Sequence, residues 1–92
     1  MERTILLVED EEELAAVVAR ELAGAGYRVL CAGDGVEALR LAQEERPDLV
    51  LLDWMLPRMD GLEVLRRLRE GSAVPVVMVT AAEYPPPGGS VS

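Results

Sequence analysis

The sequence lacks two residue types that often carry polar chemistry in proteins. Among its 92 residues there is no histidine, which removes the commonest general base and the commonest metal ligand. There is also no lysine, so all nine basic residues are arginines. A metal site in this chain therefore depends on oxygen ligands.

Cysteine and long apolar runs are scarce as well. The single cysteine, Cys31, excludes an intrachain disulfide and favours an intracellular setting, so we expect a cytoplasmic protein. Cys31 falls in a short apolar stretch and is predicted to be a buried small side chain rather than a reactive thiol. No signal pattern and no apolar run of membrane-spanning length occurs, so we expect no membrane contact.

Acidic side chains outnumber basic ones. Seventeen acidic residues against nine arginines give a net charge of −8 at pH 7. Because contacts to nucleic-acid phosphates require basic groups, we expect this chain by itself to bind no nucleic acid. A basic partner surface or a bound metal ion fits the charge better.

Apolar runs alternate with helical patterns along the chain. The runs predict four strands, and apolar residues at helical spacing predict three helices between them. The predicted strands are Thr4–Val8, Tyr27–Ala32, Asp48–Leu52 and Val76–Val79, and the predicted helices lie within residues 11–26, 35–45 and 61–70. Strands that are apolar on both faces and joined through helices favour an open α/β sheet of parallel strands.

The predicted helices share one start signal. Three aspartates each stand three residues before a glutamate: Asp10, Asp34 and Asp60. This is the spacing of an N-cap aspartate and a glutamate whose side chain accepts from the backbone N–H of that N-cap residue. The pattern ends after the last strand, where residues 84–92 are rich in proline and glycine. We therefore predict a domain over residues 1–83 and a tail over 84–92 without a fold of its own.

Polar residues follow three of the four predicted strands. Glu9 and Asp10 follow the first strand, Asp53 the third and Thr80 the fourth. Each has a simpler explanation alone, such as a helix cap or a strand end. Ligands of open α/β sheets bind beyond the carboxyl ends of the strands, so we expect these four side chains to meet there.

Three carboxylates in one place repel one another, and a proton or a cation relieves the repulsion. Oxygen ligands favour Mg²⁺. An aspartate beside Mg²⁺ can act as a nucleophile toward phosphorus, so Asp53 is predicted to accept a phosphoryl group while Thr80 donates a hydrogen bond to it.

The same residues carry a family likeness. The segments "ILLVEDEEEL", "DLVLLDWMLPRMDGLEVLRRLR" and "VPVVMVTA", spread from Thr4 to Ala82, resemble the receiver domain of bacterial two-component response regulators. The resemblance implies a flavodoxin-like open parallel sheet, here with strand order 2-1-3-4 and three helices. It also implies that a phosphohistidine on a sensor histidine kinase is the phosphoryl donor.

Position by position, the resemblance assigns roles to five residues. Asp53 is the phosphoacceptor, and Thr80 is the catalytic switch hydroxyl that moves toward the phosphate. Mg²⁺ is held by Glu9, Asp10, Asp53 and the backbone carbonyl of Met55. The "DWMLPRMDG" variant resembles receivers that precede a winged-helix DNA-binding domain, which implies derivation from a transcriptional regulator.

The chain also departs from the family it resembles. Such receivers have five strands and five helices, whereas this sequence has patterns for four strands and three helices and is expected to be truncated. The family's lysine on the fifth strand has no counterpart in a chain without lysine. Strand 4 becomes a sheet edge in this arrangement, which predicts a homo-oligomer formed through strand 4 or by exchange of an element between chains.

Three functions remain open at this point. The chain is a phosphoacceptor module, or a non-signalling receiver-like fragment that only mediates association, or an enzyme such as an aspartate-dependent phosphatase. Those phosphatases resemble this chain in fold but require a second aspartate two residues after the nucleophile. Met55 occupies that position, so an enzyme is not expected.

Overall fold

The computed structural model describes residues 2–53, 56 and 59–79, so the predicted tail lies outside the described residues. The observed elements are β1 Thr4–Val8, α1 Glu12–Gly24, β2 Arg28–Ala32, α2 Gly35–Glu45, β3 Leu49–Asp53, α3 Gly61–Arg69 and β4 Val76–Val79. The predicted element types and their order are confirmed, and the bounds of β1, α2 and β4 are as predicted.

The four strands form one parallel sheet in the order β2-β1-β3-β4, which confirms the predicted topology. In the register of the sheet, Val8 lies beside both Ala32 and Leu52, so the strands end at nearly the same level. At the opposite ends of the strands, Asp48 makes two hydrogen bonds with Thr4, the first residue of β1. The Asp48 Oδ2 accepts from the Thr4 N–H at 2.8 Å, and the Asp48 N–H donates to the Thr4 carbonyl at 2.7 Å.

The helices divide between the two faces of the sheet. Helix α1 connects β1 to β2, which lies on one side of β1 in the sheet, whereas α2 and α3 connect strands in the direction from β2 toward β4. Because such crossovers are right-handed, α1 lies on one face of the sheet and α2 and α3 lie on the other. The main core lies between the sheet and the α2–α3 pair. Its fully buried members include Leu6, Val50, Leu52 and Val64.

Two of the three predicted N-caps are confirmed. The Asp34 side chain accepts a hydrogen bond from the Glu37 N–H at 2.9 Å, and Asp60 accepts one from the Glu63 N–H at 3.0 Å. Both cap residues have extended backbone, as an N-cap requires. Asp60 thereby fixes the first residue of α3 and the end of the segment that comes from β3.

The predicted cap at Asp10 is wrong. Helix α1 begins at Glu12 with Glu11 as its N-cap, and Glu11 makes no side-chain capping hydrogen bond. The Glu11 N–H instead donates to the Glu9 Oε2 at 3.0 Å. The two residues Glu9 and Asp10 therefore lie before the helix, at the end of the sheet, where a different role is open to them.

Cys31 is exposed, so its predicted burial is also wrong. The apolar neighbours of Cys31 in sequence suggested burial, but β2 is an edge strand with a single neighbour in the described sheet. Partial burial still raises the pKa of the Cys31 thiol, which disfavours the reactive thiolate.

Strand β4 is the other edge of the described sheet, and apolar side chains on one of its faces are partly exposed. Val77 lies beside Leu51 in the register and therefore on the face that carries α1, yet its exposed fraction is 46%. Val79 is 38% exposed on the same face, and Val17 of α1 is 55% exposed. Parallel sheets normally have helices on both faces, and over the described residues this face of β4 is covered less completely than the face that carries α2 and α3.

Candidate metal centre at the carboxyl end of the sheet

Three carboxylates meet where β1 and β3 end. Glu9 and Asp10 directly follow β1, and Asp53 is the last residue of β3. Because these strands are parallel neighbours with aligned ends, one carboxylate oxygen from each residue lies within 4.8 Å of the other two. This separation allows a single cation to contact all three.

The cluster is buried on one side and open on the other. Asp53 is only 2% exposed and Glu9 is buried, whereas Asp10 is exposed. The Glu9 backbone is itself fixed, because its N–H donates to the Ala32 carbonyl at the end of β2 at 3.0 Å. The structure therefore places a buried inner pair of carboxylates beside an outer one that solvent reaches.

The electrostatics of Glu9 show the cost of this arrangement. Burial is the main cause that raises the pKa of Glu9, and the hydrogen bond from the Glu11 N–H opposes it. The negative charges of Asp53 and Asp10, together with a hydrogen bond between the Glu9 and Asp53 side chains, raise that pKa further. Such a site favours either a proton on Glu9 or a cation among the three carboxylates.

The donor set fits a hard divalent cation. All three side chains offer carboxylate oxygens, which are the ligands that Mg²⁺ prefers, and the exposed Asp10 gives the cluster access to the water that Mg²⁺ retains. Two further predicted participants, Met55 and Thr80, lie outside the described residues. Strand β4 is described to Val79, which lies opposite Asp53 in the register.

Sequence reasoning missed the part played by the Glu11 backbone N–H, which holds the Glu9 side chain. No pattern of side chains identifies such a group, because almost every residue carries one. The Glu11 N–H and the Glu9 carboxylate lie two residues apart and meet through a local turn, which only the coordinates reveal.

The raised pKa of Glu9 predicts a pH dependence of stability when a chelator keeps divalent ions away. The folded protein binds a proton at Glu9 more readily than the unfolded chain, whose pKa is near 4.5. The stabilisation linked to Glu9 is therefore complete below that value and is lost as the pH rises through the raised pKa. We expect Glu9→Gln to lack this loss and to be at least as stable as wild type at neutral pH.

Urea unfolding of both proteins across this pH range checks the prediction. The free energy of unfolding of wild type relative to Glu9→Gln should fall as the pH rises, because titrating groups far from the carboxylate cluster cancel in the difference. A relative rise with pH would contradict the assigned direction of the Glu9 pKa.

The open parallel sheet with an acidic cluster at the carboxyl ends of its strands defines an α/β domain whose candidate ligand site lies at those strand ends. Within it, residues 5–87 match the model of the response regulator receiver domain family. The chain belongs to this family.

Curated relatives agree with the family. The chain is 44% identical over 84 residues to the alkaline phosphatase synthesis transcriptional regulatory protein PhoP of Bacillus subtilis, covering 90% of this chain and 35% of that protein. It is 49% identical over 81 residues to the DNA-binding response regulator MtrA of Mycolicibacterium paratuberculosis, covering 88% of this chain and 36% of the relative. The chain thus spans about a third of the length of these relatives.

Solved structures agree with the fold. The N-terminal domain of a response regulator receiver protein from Methanoculleus marisnigri superposes with a TM-score of 0.81 at 41% identity, covering 90% of this chain and 70% of that one. The chemotaxis protein CheY4 of Vibrio cholerae superposes with a TM-score of 0.85 at 34% identity, covering 92% and 73%. None of the helices in the described ranges has the length and apolar character needed to cross a membrane.

Proposed function

We propose that this chain is a receiver module of a two-component phosphorelay and that Asp53 accepts a phosphoryl group from a phosphohistidine on a sensor histidine kinase. The observation that carries the proposal is the meeting of Glu9, Asp10 and Asp53 within 4.8 Å, with Asp53 almost fully buried at the end of β3. Family membership supports the same reading.

The chemistry assigns one task to each residue. A carboxylate oxygen of Asp53 attacks phosphorus, the phosphorus–nitrogen bond of the donor breaks, and an acyl phosphate forms as the imidazole leaves. Glu9 and Asp10, with Asp53 and the Met55 carbonyl, would hold Mg²⁺, which supplies charge neutralisation for the phosphoryl oxygens. Thr80 would donate its hydroxyl hydrogen to one of those oxygens. The chain is a phosphoacceptor and not an enzyme that turns over a separate substrate.

The test uses the chain with Mg²⁺ and a small phosphoramidate, or with beryllofluoride as a mimic of the phosphoryl group. We expect a mass gain of one phosphoryl group with the first reagent. With the second we expect a change in the fluorescence of Trp54, the only tryptophan and the residue after Asp53. A folded protein that responds to neither reagent would overturn the proposal.

The named functions of the relatives support a wider context. PhoP is named as a transcriptional regulatory protein and MtrA as a DNA-binding response regulator. We infer that this chain derives from a transcriptional response regulator of that kind and works in the cytoplasm. With a net charge of −8, this chain itself would leave any DNA contact to another domain.

The alternative function is that of a fragment that only associates, and the partly exposed apolar face of β4 favours the association itself. Val77 and Val79 expose apolar side chains there, and the outer edge of β4 has no partner strand in the described sheet. An open apolar edge strand is a template for another chain. We propose that a second copy of this chain covers it, by edge pairing or by exchange of an element.

Light scattering at micromolar concentration tests the association. We expect wild type to have twice the mass of one chain and Val77→Lys to have the mass of a single chain, because a charge on the covered face must be desolvated. Val36→Lys is the matched control, since Val36 on α2 is 63% exposed and lies away from β4. A wild-type monomer at this concentration would contradict the proposed dimer.

A further inference from the structure

We propose that Glu11, through its backbone N–H, is a positioning residue of the carboxylate cluster, because this N–H holds the Glu9 side chain beside Asp10 and Asp53. The inference rests on the proposed function, in which Glu9 is a ligand of Mg²⁺. Glu11 itself offers no ligand atom to the cluster, and its own side chain is exposed.

The contact between Glu11 and the cluster is direct. The Glu11 N–H donates to the Glu9 Oε2 at 3.0 Å, and a carboxylate oxygen of Glu9 lies within 4.8 Å of one from Asp10 and one from Asp53. A free glutamate side chain has many rotamers, and repulsion by two neighbouring carboxylates favours those that point away from them. The hydrogen bond from Glu11 opposes this repulsion and keeps Glu9 in the cluster.

The start of α1 leaves the Glu11 N–H available for this contact. Glu11 is the N-cap of α1, and in a capping box the side chain three residues later accepts from the N–H of the N-cap residue. In α1 this position is Leu14, which has no acceptor. The acceptor comes instead from Glu9, on the other side of the N-cap.

Both partners of the hydrogen bond are held by the surrounding fold. The Glu11 carbonyl accepts from the N–H of Ala15, a buried residue of α1, at 2.9 Å. The Glu9 N–H donates to the Ala32 carbonyl at the end of β2 at 3.0 Å. Hydrogen-bond partners of this kind fix the orientation of metal ligands, so the start of α1 determines where the Glu9 carboxylate lies.

The test removes the N–H with Glu11→Pro in the full chain. Proline holds φ at about −65°, and Glu11 already has a φ of −88° and an extended ψ of 110°. Glu11→Ala is the reference, because it retains the N–H. Glu12→Pro is the second control, because it places the same ring at the first position of α1, where proline is common. All three variants lose one negative charge, and only Glu11→Pro loses the Glu11 N–H.

Calorimetric titration with MgCl₂ measures the effect. We expect the Mg²⁺ concentration for half-saturation to be about 10- to 100-fold higher in Glu11→Pro than in Glu11→Ala, as when other hydrogen-bond partners of metal ligands are removed. Glu12→Pro should bind Mg²⁺ like Glu11→Ala. If Mg²⁺ binds to Glu11→Pro as tightly as to these two controls, the positioning role is overturned and the proposed function stands.

A second variant removes the N–H without a ring, because proline at position 11 also restricts the backbone of Asp10. An ester in place of the peptide bond between Asp10 and Glu11 replaces the N–H by oxygen and keeps every side chain. Ligation of a synthetic segment 1–30 to a segment that begins with Cys31, the single cysteine, gives this chain. The same loss of Mg²⁺ affinity is expected.

An ester between Glu11 and Glu12 is the control for this variant. It weakens the Glu11 carbonyl as acceptor for the Ala15 N–H and keeps the Glu11 N–H, so it reports damage to the first turn of α1 alone. Equal Mg²⁺ affinities of the two ester chains would overturn the positioning role, whether or not Glu11→Pro folds.

A further readout does not depend on metal binding. With a chelator present, hydrogen exchange of the Glu11 amide should be faster in Glu9→Ala than in Asp10→Ala, because both lose a neighbouring charge but only the first loses the acceptor. If wild type ignores Mg²⁺ and this difference holds, the proposed function fails and the positioning of Glu9 stands. Equal exchange rates in the two variants would show that Glu11 does not hold Glu9.

Discussion

Asp53→Asn is expected to abolish phosphorylation of the chain. The amide of asparagine is a poor nucleophile toward phosphorus and carries no charge, so the variant should show no mass gain with a small phosphoramidate and should bind Mg²⁺ more weakly. Mass spectrometry after incubation with the donor measures the first effect. Asp48→Asn is the matched control, because Asp48 lies at the opposite ends of the strands from the cluster and asparagine keeps an acceptor for the Thr4 N–H.

The same variant should leave folding unharmed or improve it. Removal of the Asp53 charge relieves the repulsion with Glu9, which is one cause of the raised Glu9 pKa. In a domain of this size each 1 kcal/mol of relief raises the melting midpoint by about 4–8 °C. An unfolded Asp53→Asn would mean that Asp53 is a structural residue, and a phosphorylated Asp53→Asn would place the acceptor elsewhere.

Leu52→Ala is expected to have the largest effect on stability. Leu52 is fully buried between the sheet and the α2–α3 pair, where replacement of leucine by alanine costs about 2–5 kcal/mol through lost burial and the cavity that remains. Small domains are stable by only about 5–15 kcal/mol, so this is a large fraction of the total. Urea unfolding followed by circular dichroism measures the loss.

Leu51→Ala is the matched comparison for this prediction. Leu51 is the preceding residue in β3 and has the same side chain, but it faces the side of the sheet with α1 and is only half-buried. The loss should therefore be clearly smaller than for Leu52→Ala, because less surface is removed from contact. Equal losses would contradict the unequal cover of the two faces.

Local patterns explain why the element order was predictable. Short apolar runs indicate buried strands, three of the four directly follow a glycine or a proline, and the amphipathic stretches between them repeat at helical spacing. The caps at Asp34 and Asp60 followed from the same local rules, because an N-cap depends only on the next three residues. The convergence of Glu9, Asp10 and Asp53 followed from the parallel topology that strand–helix alternation favours, and the predicted approach of Thr80 lies outside the described residues.

Long-range contacts explain where local reasoning was wrong. Asp10 has the spacing of a cap, but α1 begins two residues later and Asp10 joins the acidic cluster instead. Cys31 has apolar neighbours in sequence, but its strand is an edge of the sheet. The sheet decided the exposure of Cys31, and β3, far away in the chain, supplied Asp53 as the partner of Asp10.

The sequence by itself determined the strands, the helices and the residues offered to the site, because hydrophobic periodicity and side-chain chemistry are properties of neighbouring residues. Only the tertiary structure decided that Leu52 is buried while Leu51 is half-buried. It also decided that the Glu9 N–H donates to the Ala32 carbonyl and that Gly35 lies close to Met59. The physical reason is that burial, pKa and steric fit depend on which distant elements pack together, and no local pattern contains that information.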